Sequence, residues 1–196
     1  MYALGCDASM GKLLARVFLA LTGWRIEGQP PKPEKFVLIA APHTSNWDLA
    51  YLLALTKLFG IRVSWMGKHT LFRGPMGWVM RRVGGIPVWR HRRENVVSQM
   101  VKAFHASSAL ALTVPPEGTR GYRDHWKSGF YHIARDAQVP IVLGYLDYAR
   151  KRGGFGPQVL PTGDVKRDMD EIRRFYADKI GKHPEHFSRV HLEEEG

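Results

Sequence analysis

The sequence has a single cysteine, no long apolar run and few acidic residues. Cys6 stands alone in 196 residues, which excludes an intramolecular disulfide and a cysteine-rich zinc site. No apolar stretch reaches the roughly 20 residues that a membrane-spanning helix needs. Lys12 and Arg16 interrupt the first apolar segment, so a signal peptide is not predicted. We therefore expect a cytoplasmic chain.

The shortage of acidic residues leaves a strongly basic chain. There are 18 Asp and Glu against 29 Lys and Arg, a formal net charge of +11 at pH 7. Such a charge favours an anionic partner, which could be nucleic acid, a phosphorylated substrate or an anionic bilayer. No helix-turn-helix signature, zinc-finger spacing or RNP-like block is present, so we expect no nucleic-acid partner. The absence of a Gly-x-Ser-x-Gly motif makes a hydrolase less favoured.

Apolar runs alternate with helical patterns along the whole chain. A length of 196 residues with 44% hydrophobic content suits a single domain, 1–196. Strands are predicted at 36–41, 61–67, 86–90, 110–114 and 139–146. Helices are predicted at 10–24, 47–59, 76–83, 94–109, 130–137 and 168–181, with a basic, glycine-rich turn at 150–156. This alternation predicts an α/β fold with a mixed, largely parallel central sheet flanked by helices.

The first helical pattern is amphipathic. Leu13, Leu14 and Val17 fall on one stripe, whereas Lys12 and Arg16 mark a more basic side. Such a helix can lie in a membrane interface, or it can pack on the core as an ordinary surface helix. The segment alone favours the second interpretation, because amphipathic helices are common in globular proteins.

A histidine and a carboxylate stand where the first predicted strand meets the following helix. His43 is expected in the turn and Asp48 in the first helical turn, whose N-cap is Thr44, Ser45 or Asn46. A neutral imidazole can take a proton from an alcohol or amine, and a carboxylate on its other ring nitrogen orients it. An isolated His-x4-Asp is more often a chance pairing. The interpretation therefore depends on further motifs.

A second polar block, Glu117-Gly118-Thr119-Arg120, directly follows the predicted strand at 110–114. Open α/β sheets place ligand sites at the carboxyl ends of their strands. Arg120 can hold a phosphate bidentately, and Gly118 lets the backbone approach an oxyanion. Arg90, at the end of another short strand, can supply a second cation. A solvated surface arginine is the alternative in each case.

Four blocks, taken in order, resemble the glycerolipid acyltransferase family that includes bacterial 1-acylglycerol-3-phosphate acyltransferases. The family's His-x4-Asp is matched at 43–48, and its Phe-Pro-Glu-Gly-Thr-Arg block at 116–120. Its Gly-x-Ile-Pro-Ile-Asp-Arg block is approached at 84–90, and its Val-Pro-Ile-Val-Pro strand at 139–142. The resemblance covers roughly residues 36–146, and chance explains the ordered set far less well than any single block.

The resemblance implies a reaction and a set of roles. A fatty acyl group would pass from acyl-CoA or acyl-carrier protein to the hydroxyl of a lysolipid such as 1-acylglycerol-3-phosphate. No cofactor beyond this thioester and no metal site is implied. His43 would be the general base and Asp48 its orienting partner. The implied acceptor or phosphate site comprises Arg90, Glu117, Gly118, Thr119 and Arg120, with Lys68 and Lys127 as further binding candidates.

The resemblance also bears on location. It implies that segment 1–28 carries a membrane-docking amphipathic helix, and that 36–146 is the motif-bearing core. The implied partner is an anionic membrane surface. The implied place is the inner face of the cell membrane, where the protein would be peripheral.

Three positions depart from the family pattern. Trp89 replaces the acidic residue before Arg90, Pro115 replaces the aromatic residue before Pro116, and Leu143 stands where proline is frequent. A changed second block bears most directly on the acceptor, so a lyso-aminolipid or another lipid-like alcohol or amine is an alternative. Slow thioester hydrolysis with the same base, and non-catalytic binding of anionic lipid or nucleic acid, are the remaining alternatives.

Overall fold

The fold is a mostly parallel sheet with helices on both faces. The computed structural model describes residues 4–89 and 96–195, with side chains from Met10 onward. In these residues the strands are β1 (Arg25–Glu27), β2 (Lys35–Ala41), β3 (Val63–Lys68), β4 (Gly85–Val88), β5 (Leu110–Val114), β6 (Ile141–Asp147) and β7 (Arg152–Val159). The helices are α1 (Leu4–Thr22), α2 (Trp47–Phe59), α3 (Gly74–Arg82), α4 (Val96–Ala106), α5 (Gly129–Asp136) and α6 (Val165–Tyr176). Short 3₁₀ turns lie at His69–Phe72, Pro184–His186 and Glu193–Glu195.

The strand order confirms the predicted fold class. Across the sheet the order is β1-β7-β6-β2-β5-β3-β4. The neighbouring pairs are parallel except β6 and β7, which form an antiparallel hairpin. The sheet is therefore mixed and largely parallel, as the alternation of strands and helices predicts.

Strand β2 lies at the centre of the sheet because both of its faces are apolar. Val37 and Ile39 pack with residues of α4, α5 and α6 on one face. Leu38 packs against Leu55 of α2 on the other face. Helix α1 packs in turn on α2, so the α2 side of the sheet carries two helical layers.

Helix α2 has the predicted bounds. Asn46 occupies its N-cap position without a capping side-chain hydrogen bond, whereas the hydroxyl of Ser45 accepts the N–H of Trp47 at 3.2 Å. Gly60 ends the helix in the left-handed conformation, with φ of 72°. Asp48 consequently lies in the first helical turn, as predicted.

The glycine-rich stretch at 150–156 is mostly strand, so the predicted turn was wrong in its bounds. Strand β7 begins at Arg152, and its Gly154 pairs with Glu27 of β1. A Cβ at Gly154 would collide with the carbonyl oxygen of Glu27. Glycine here permits close approach of two backbones, which a local pattern cannot distinguish from a turn. Strand β1 itself was not predicted, because three residues are too few to show a period.

The predicted helix at 168–181 is displaced towards the N-terminus. The observed helix α6 starts at Val165 because the side chain of Asp164 caps it, accepting the N–H of Arg167 at 3.0 Å. It ends at Tyr176, so residues 177–181 form an irregular segment. This segment runs back to the sheet edge, where the N–H of Tyr148 donates to the carbonyl of Ile180 at 2.8 Å.

Helix α1 presents an apolar stripe to solvent. Leu13, Leu14, Val17 and Leu21 are exposed, whereas Leu19 is buried against α2. Within the described residues, no helix is long and apolar enough to cross a membrane. The helix therefore has an inner face that packs on the fold and an outer face that stays apolar without a partner in the described chain.

Candidate active site

The predicted polar blocks meet at one edge of the sheet. Strands β2, β3, β4 and β5 run parallel, so their carboxyl ends lie together. The loop after β2 carries His43, and the loop after β5 carries Glu117 through Arg120. Strand β3 ends at Lys68. Arg90 lies outside the described residues, so its place in the site stays a prediction.

His43 and Asp48 face each other across the start of α2. Nδ1 of His43 lies 3.3 Å from Oδ2 of Asp48. The His43 side chain is 24% exposed, whereas that of Asp48 is 6% exposed. Because Nδ1 faces the carboxylate, Nε2 is the nitrogen that can accept a proton from a substrate. The geometry is that of a base with an orienting carboxylate.

Both carboxylate oxygens of Asp48 accept hydrogen bonds. The backbone N–H groups of Thr44 and Ser45 each donate to Oδ2 at 2.9 Å, and the hydroxyl of Tyr148 donates to Oδ1 at 2.6 Å. Burial raises the pKa of Asp48, but the hydrogen bonds from His43, Tyr148 and Ser45 outweigh it, and the pKa lies below its usual value. Asp48 is therefore held ionised beside His43.

Glu117 holds the His43 loop through a hydrogen bond to its backbone. Its Oε1 accepts the backbone N–H of His43 at 2.6 Å, and its Oε2 accepts the N–H of Ser188 at 3.2 Å. The residue is 1% exposed. Burial raises the pKa of Glu117 to about 7, against the lowering effect of these hydrogen bonds. These contacts favour a role in holding His43 over direct contact with an acceptor.

The remaining residues of this loop are more open. Gly118 adopts φ of 66°, and the side chain of Lys127 lies so close that a Cβ at Gly118 would be 2.9 Å from its Cε. The guanidinium of Arg120 is exposed and donates to the side-chain oxygen of Asn46. Thr119 accepts the N–H of Gly121 at 3.4 Å. Lys127 and Arg120 are thus two cations of the region after β5 that lie beside this loop.

The second block differs from the family pattern at Trp89. Trp89 stacks on His69, with ring centroids 5.8 Å apart and planes 14° from parallel. Its backbone N–H and carbonyl both bond to the side-chain amide of Gln99, at 3.1 and 3.2 Å. Lys68 is exposed just before His69. The residue that replaces the family's acid therefore packs as an aromatic ring.

A cavity of about 660 Å³ lies between α2 and the sheet. His43, Asp48 and Arg120 line it together with many apolar residues. Leu49, Leu52 and Leu53 of α2 contribute to one wall, while Val63, Trp65, Met66, Met80, Val83 and Phe155 extend the lining. This volume is within the range of small-molecule sites in proteins.

Small residues on the sheet make room for this cavity. Ala40 and Gly144 are paired neighbours in β2 and β6, and both line the cavity. A larger side chain at Ala40 would fill space beneath α2, whereas a Cβ at Gly144 would lie 2.8 Å from the carbonyl oxygen of Ile39. Motif reasoning missed both residues, along with Tyr148. The sequence signal for a cavity was weak, because a single alanine or glycine in an apolar strand has many other structural explanations.

Residues 24–143 match the family model described as Acyltransferase. The chain belongs to the acyltransferase family. The 1-acyl-sn-glycerol-3-phosphate acyltransferase of Streptococcus pneumoniae is 28% identical over 188 residues, covering 84% of this chain and 68% of that protein. An uncharacterized acyltransferase of Schizosaccharomyces pombe is 29% identical over 119 residues, covering 57% of this chain and 42% of that protein.

A solved structure shares the fold of this acyltransferase. The crystal structure of PlsC, the 1-acyl-sn-glycerophosphate (LPA) acyltransferase from Thermotoga maritima, is similar with a TM-score of 0.57 and 18% identity. The similarity covers 87% of this chain and 75% of that one. The family model and the Streptococcus pneumoniae relative confirm the family that the four blocks predict, and the protein is an acyltransferase.

Proposed function

We propose that this acyltransferase moves a fatty acyl group from an acyl thioester to the hydroxyl of a lysolipid such as 1-acylglycerol-3-phosphate. The observation that carries the proposal is the apolar cavity beside His43. Each CH₂ that an acyl chain buries there contributes roughly 0.8 kcal/mol to binding. The thioester carbonyl would then lie near the imidazole, at the polar end of the cavity.

The geometry supports general-base catalysis by His43. Nε2 takes the proton of the acceptor hydroxyl as its oxygen attacks the thioester carbonyl. A C–O bond forms and the C–S bond breaks, and the imidazolium returns its proton to the departing thiolate. Asp48, which is ionised and fixed by several hydrogen bonds, stabilises the imidazolium between these steps.

We assign the acceptor's phosphate to the cations at the sheet edge. Arg120 lines the cavity, and Lys127 lies against Gly118. Lys68, at the end of β3, and Arg90, which follows β4 in sequence, are further candidates. Arg can form bidentate hydrogen bonds with phosphate. Glu117 contributes from beneath by holding the His43 backbone, and Thr119 shapes the loop between them.

A second candidate acceptor is a lyso-aminolipid or another lipid-like alcohol or amine. The stacking of Trp89 on His69, where relatives have an acid, favours it. The thioester donor is acyl-CoA or acyl-carrier protein, and the basic charge of +11 suits either anionic carrier.

Membrane docking by α1 and the cavity rim would give access to lipid substrates. Exposed apolar residues lie on α1, on α2, on α3 and at the C-cap of α3: Met10, Leu13, Leu14, Val17, Leu21, Trp47, Leu49, Leu53, Met76, Trp78, Val79 and Val83. Leu49, Leu53 and Val83 also line the cavity. We propose a single domain, peripheral to the inner face of the cell membrane, in which segment 1–28 docks on anionic lipid.

The test is product analysis with purified protein. Mixed acyl-CoA and acyl-carrier-protein thioesters are incubated with a panel of lysolipids, and products are identified by mass spectrometry. His43→Ala should lower kcat by about 10²- to 10⁴-fold, the usual contribution of a general base. His105→Ala removes an exposed histidine of α4 and serves as the control.

Three outcomes would contradict the proposal. Unchanged turnover in His43→Ala would show that His43 is not the general base. Thiol release that is independent of any lysolipid indicates a thioesterase. Vesicle binding without acyl transfer to any acceptor indicates a non-catalytic lipid-binding protein.

A further inference from the structure

Tyr148 lies outside every motif block, in the turn between β6 and β7, yet it contacts the catalytic pair. Its hydroxyl donates to Oδ1 of Asp48 at 2.6 Å, across 100 positions of sequence. The other oxygen, Oδ2, is the one that faces His43. Tyr148 and His43 thus bind opposite oxygens of one carboxylate.

The hydrogen bond at Oδ1 restrains the carboxylate plane. The backbone donors of Thr44 and Ser45 converge on Oδ2. With Oδ2 as the only anchored atom, the carboxylate could rotate about that point and tilt away from the imidazole. A donor on Oδ1 removes this freedom, in the way that outer partners orient the ligands of metal sites.

Tyr148 is itself held from three sides. Its ring meets Trp24 edge-on, with centroids 4.9 Å apart at 86°, and meets Tyr51 of α2 at 5.9 Å and 90°. Trp24 stacks on Tyr51 at 4.2 Å. The backbone N–H of Tyr148 donates to Ile180 of the segment after α6. The hydroxyl is therefore presented to Asp48 by a packed aromatic cluster.

Tyr148 remains a hydrogen-bond donor under ordinary conditions. Burial and the adjacent Asp48 carboxylate raise the pKa of the Tyr148 phenol well above its ordinary value. A phenol that stays protonated can only donate to an ionised carboxylate. The direction of this hydrogen bond is thus fixed.

We propose that Tyr148 is a positioning residue for acyl transfer, which holds Asp48 in the plane that orients His43. The inference rests on the proposed function, because it assigns His43 as the base. Tyr148 does not touch substrate in this role. It acts through Asp48.

The test compares two hydroxyl deletions in one aromatic cluster. Tyr148→Phe keeps the ring and removes the donor, whereas Tyr51→Phe removes a neighbouring hydroxyl that makes no hydrogen bond to Asp48 in the described residues. We expect kcat of Tyr148→Phe to fall by about tenfold, the effect of losing a hydrogen bond to a charged group, with KM for both substrates within about twofold. Tyr51→Phe should stay within about twofold of the parent enzyme.

A double-variant cycle separates positioning from general support of the fold. In an Asp48→Asn background, Tyr148→Phe should cost little more, because the orienting carboxylate is already lost. If the two substitutions instead lower kcat independently, so that their fold-losses multiply in the double variant, the proposal is overturned. Equal kcat values for Tyr148→Phe and Tyr51→Phe would also overturn it.

A readout without activity distinguishes failure of this inference from failure of the proposed function. The ring-nitrogen NMR signals of His43, assigned with His43→Gln, report its hydrogen bond to Asp48. They should change in Tyr148→Phe and stay in place in Tyr51→Phe. A folded parent enzyme that transfers no acyl group would overturn the function. Unmoved His43 signals in Tyr148→Phe would overturn the inference.

Discussion

The carboxyl of Glu117 belongs to a block predicted to bind the acceptor, yet it faces the protein interior. It is buried, and both of its oxygens accept backbone N–H groups, from His43 and from Ser188. These two hydrogen bonds connect the loop after β5 to the loop that bears His43 and to the C-terminal segment. Its effect on a reaction would pass through the position of His43.

The raised pKa of Glu117 predicts a pH-dependent contribution to stability. A carboxyl whose pKa rises from 4.5 unfolded to about 7 folded binds its proton more tightly in the folded state. Its contribution is fully present below pH 4.5 and is lost as the pH rises to about 7. Glu117→Gln does not titrate. The free energy of unfolding of the parent, relative to this variant, should therefore fall by about 3 kcal/mol across that window.

Urea unfolding of both proteins at several pH values measures this difference. Glu185→Gln changes a carboxyl in the exposed turn at 184–186 and serves as the control. A parent-minus-variant difference that stays constant with pH would show that Glu117 is ionised to the same extent in both states.

At the scale of elements, α2 connects the His43 and Asp48 pair to the cavity. Its first turn carries Asp48, while its leucines line the cavity and reach the surface. The sheet beneath α2 has Ala40 and Gly144 at the same level. Two small residues on central strands thus line the cavity beneath α2.

Filling the cavity should shorten the acyl chain that the enzyme prefers. Ala40→Leu adds a branched side chain to the cavity lining, and each lost CH₂ contact costs an acyl chain roughly 0.8 kcal/mol. The ratio of kcat/KM for long and short acyl thioesters should fall by about tenfold or more. An unchanged ratio in a folded variant would place the acyl chain elsewhere.

Helix α1 should supply the apolar contact with the membrane. Leu14→Glu and Leu21→Glu alter side chains that are 62% and 84% exposed, so both variants should fold normally. Each should weaken sedimentation with anionic vesicles by about tenfold, because a leucine that enters the interface contributes about 1.5–3 kcal/mol. Leu160→Glu, at 63% exposure outside this helix, is the matched control. If all three variants weaken vesicle binding equally, α1 is not part of the docking surface.

The whole molecule carries +11, which acts at longer range than any apolar contact. Raising the ionic strength from about 0.01 to about 1 M shortens the Debye length from about 30 to about 3 Å. Binding to vesicles that contain anionic lipid should weaken strongly over this range, whereas binding to zwitterionic vesicles should change little. Tight, salt-sensitive binding to nucleic acid in preference to anionic vesicles would favour the nucleic-acid alternative.

The sequence by itself determined the α/β alternation, the bounds of α2 and the family. These follow from the local periodicity of apolar residues and from motif residues at fixed spacing. His43 and Asp48 are an example, because they lie close in sequence and the local backbone brings them together. It misplaced the turn at 150–156 because close strand packing and a turn both require glycine. Family blocks placed Glu117 in the site without revealing what it contacts.

Only the tertiary structure decided which distant residues surround His43 and Asp48. Glu117 reaches His43 across 74 positions and Tyr148 reaches Asp48 across 100. Such pairs depend on the order of strands in the sheet, which no local pattern encodes. The cavity depends likewise on Ala40 and Gly144 becoming neighbours. The candidate catalytic residues of this acyltransferase can thus be proposed from short motifs, whereas the contacts that hold them and the cavity beside them arise from packing between segments far apart in the chain.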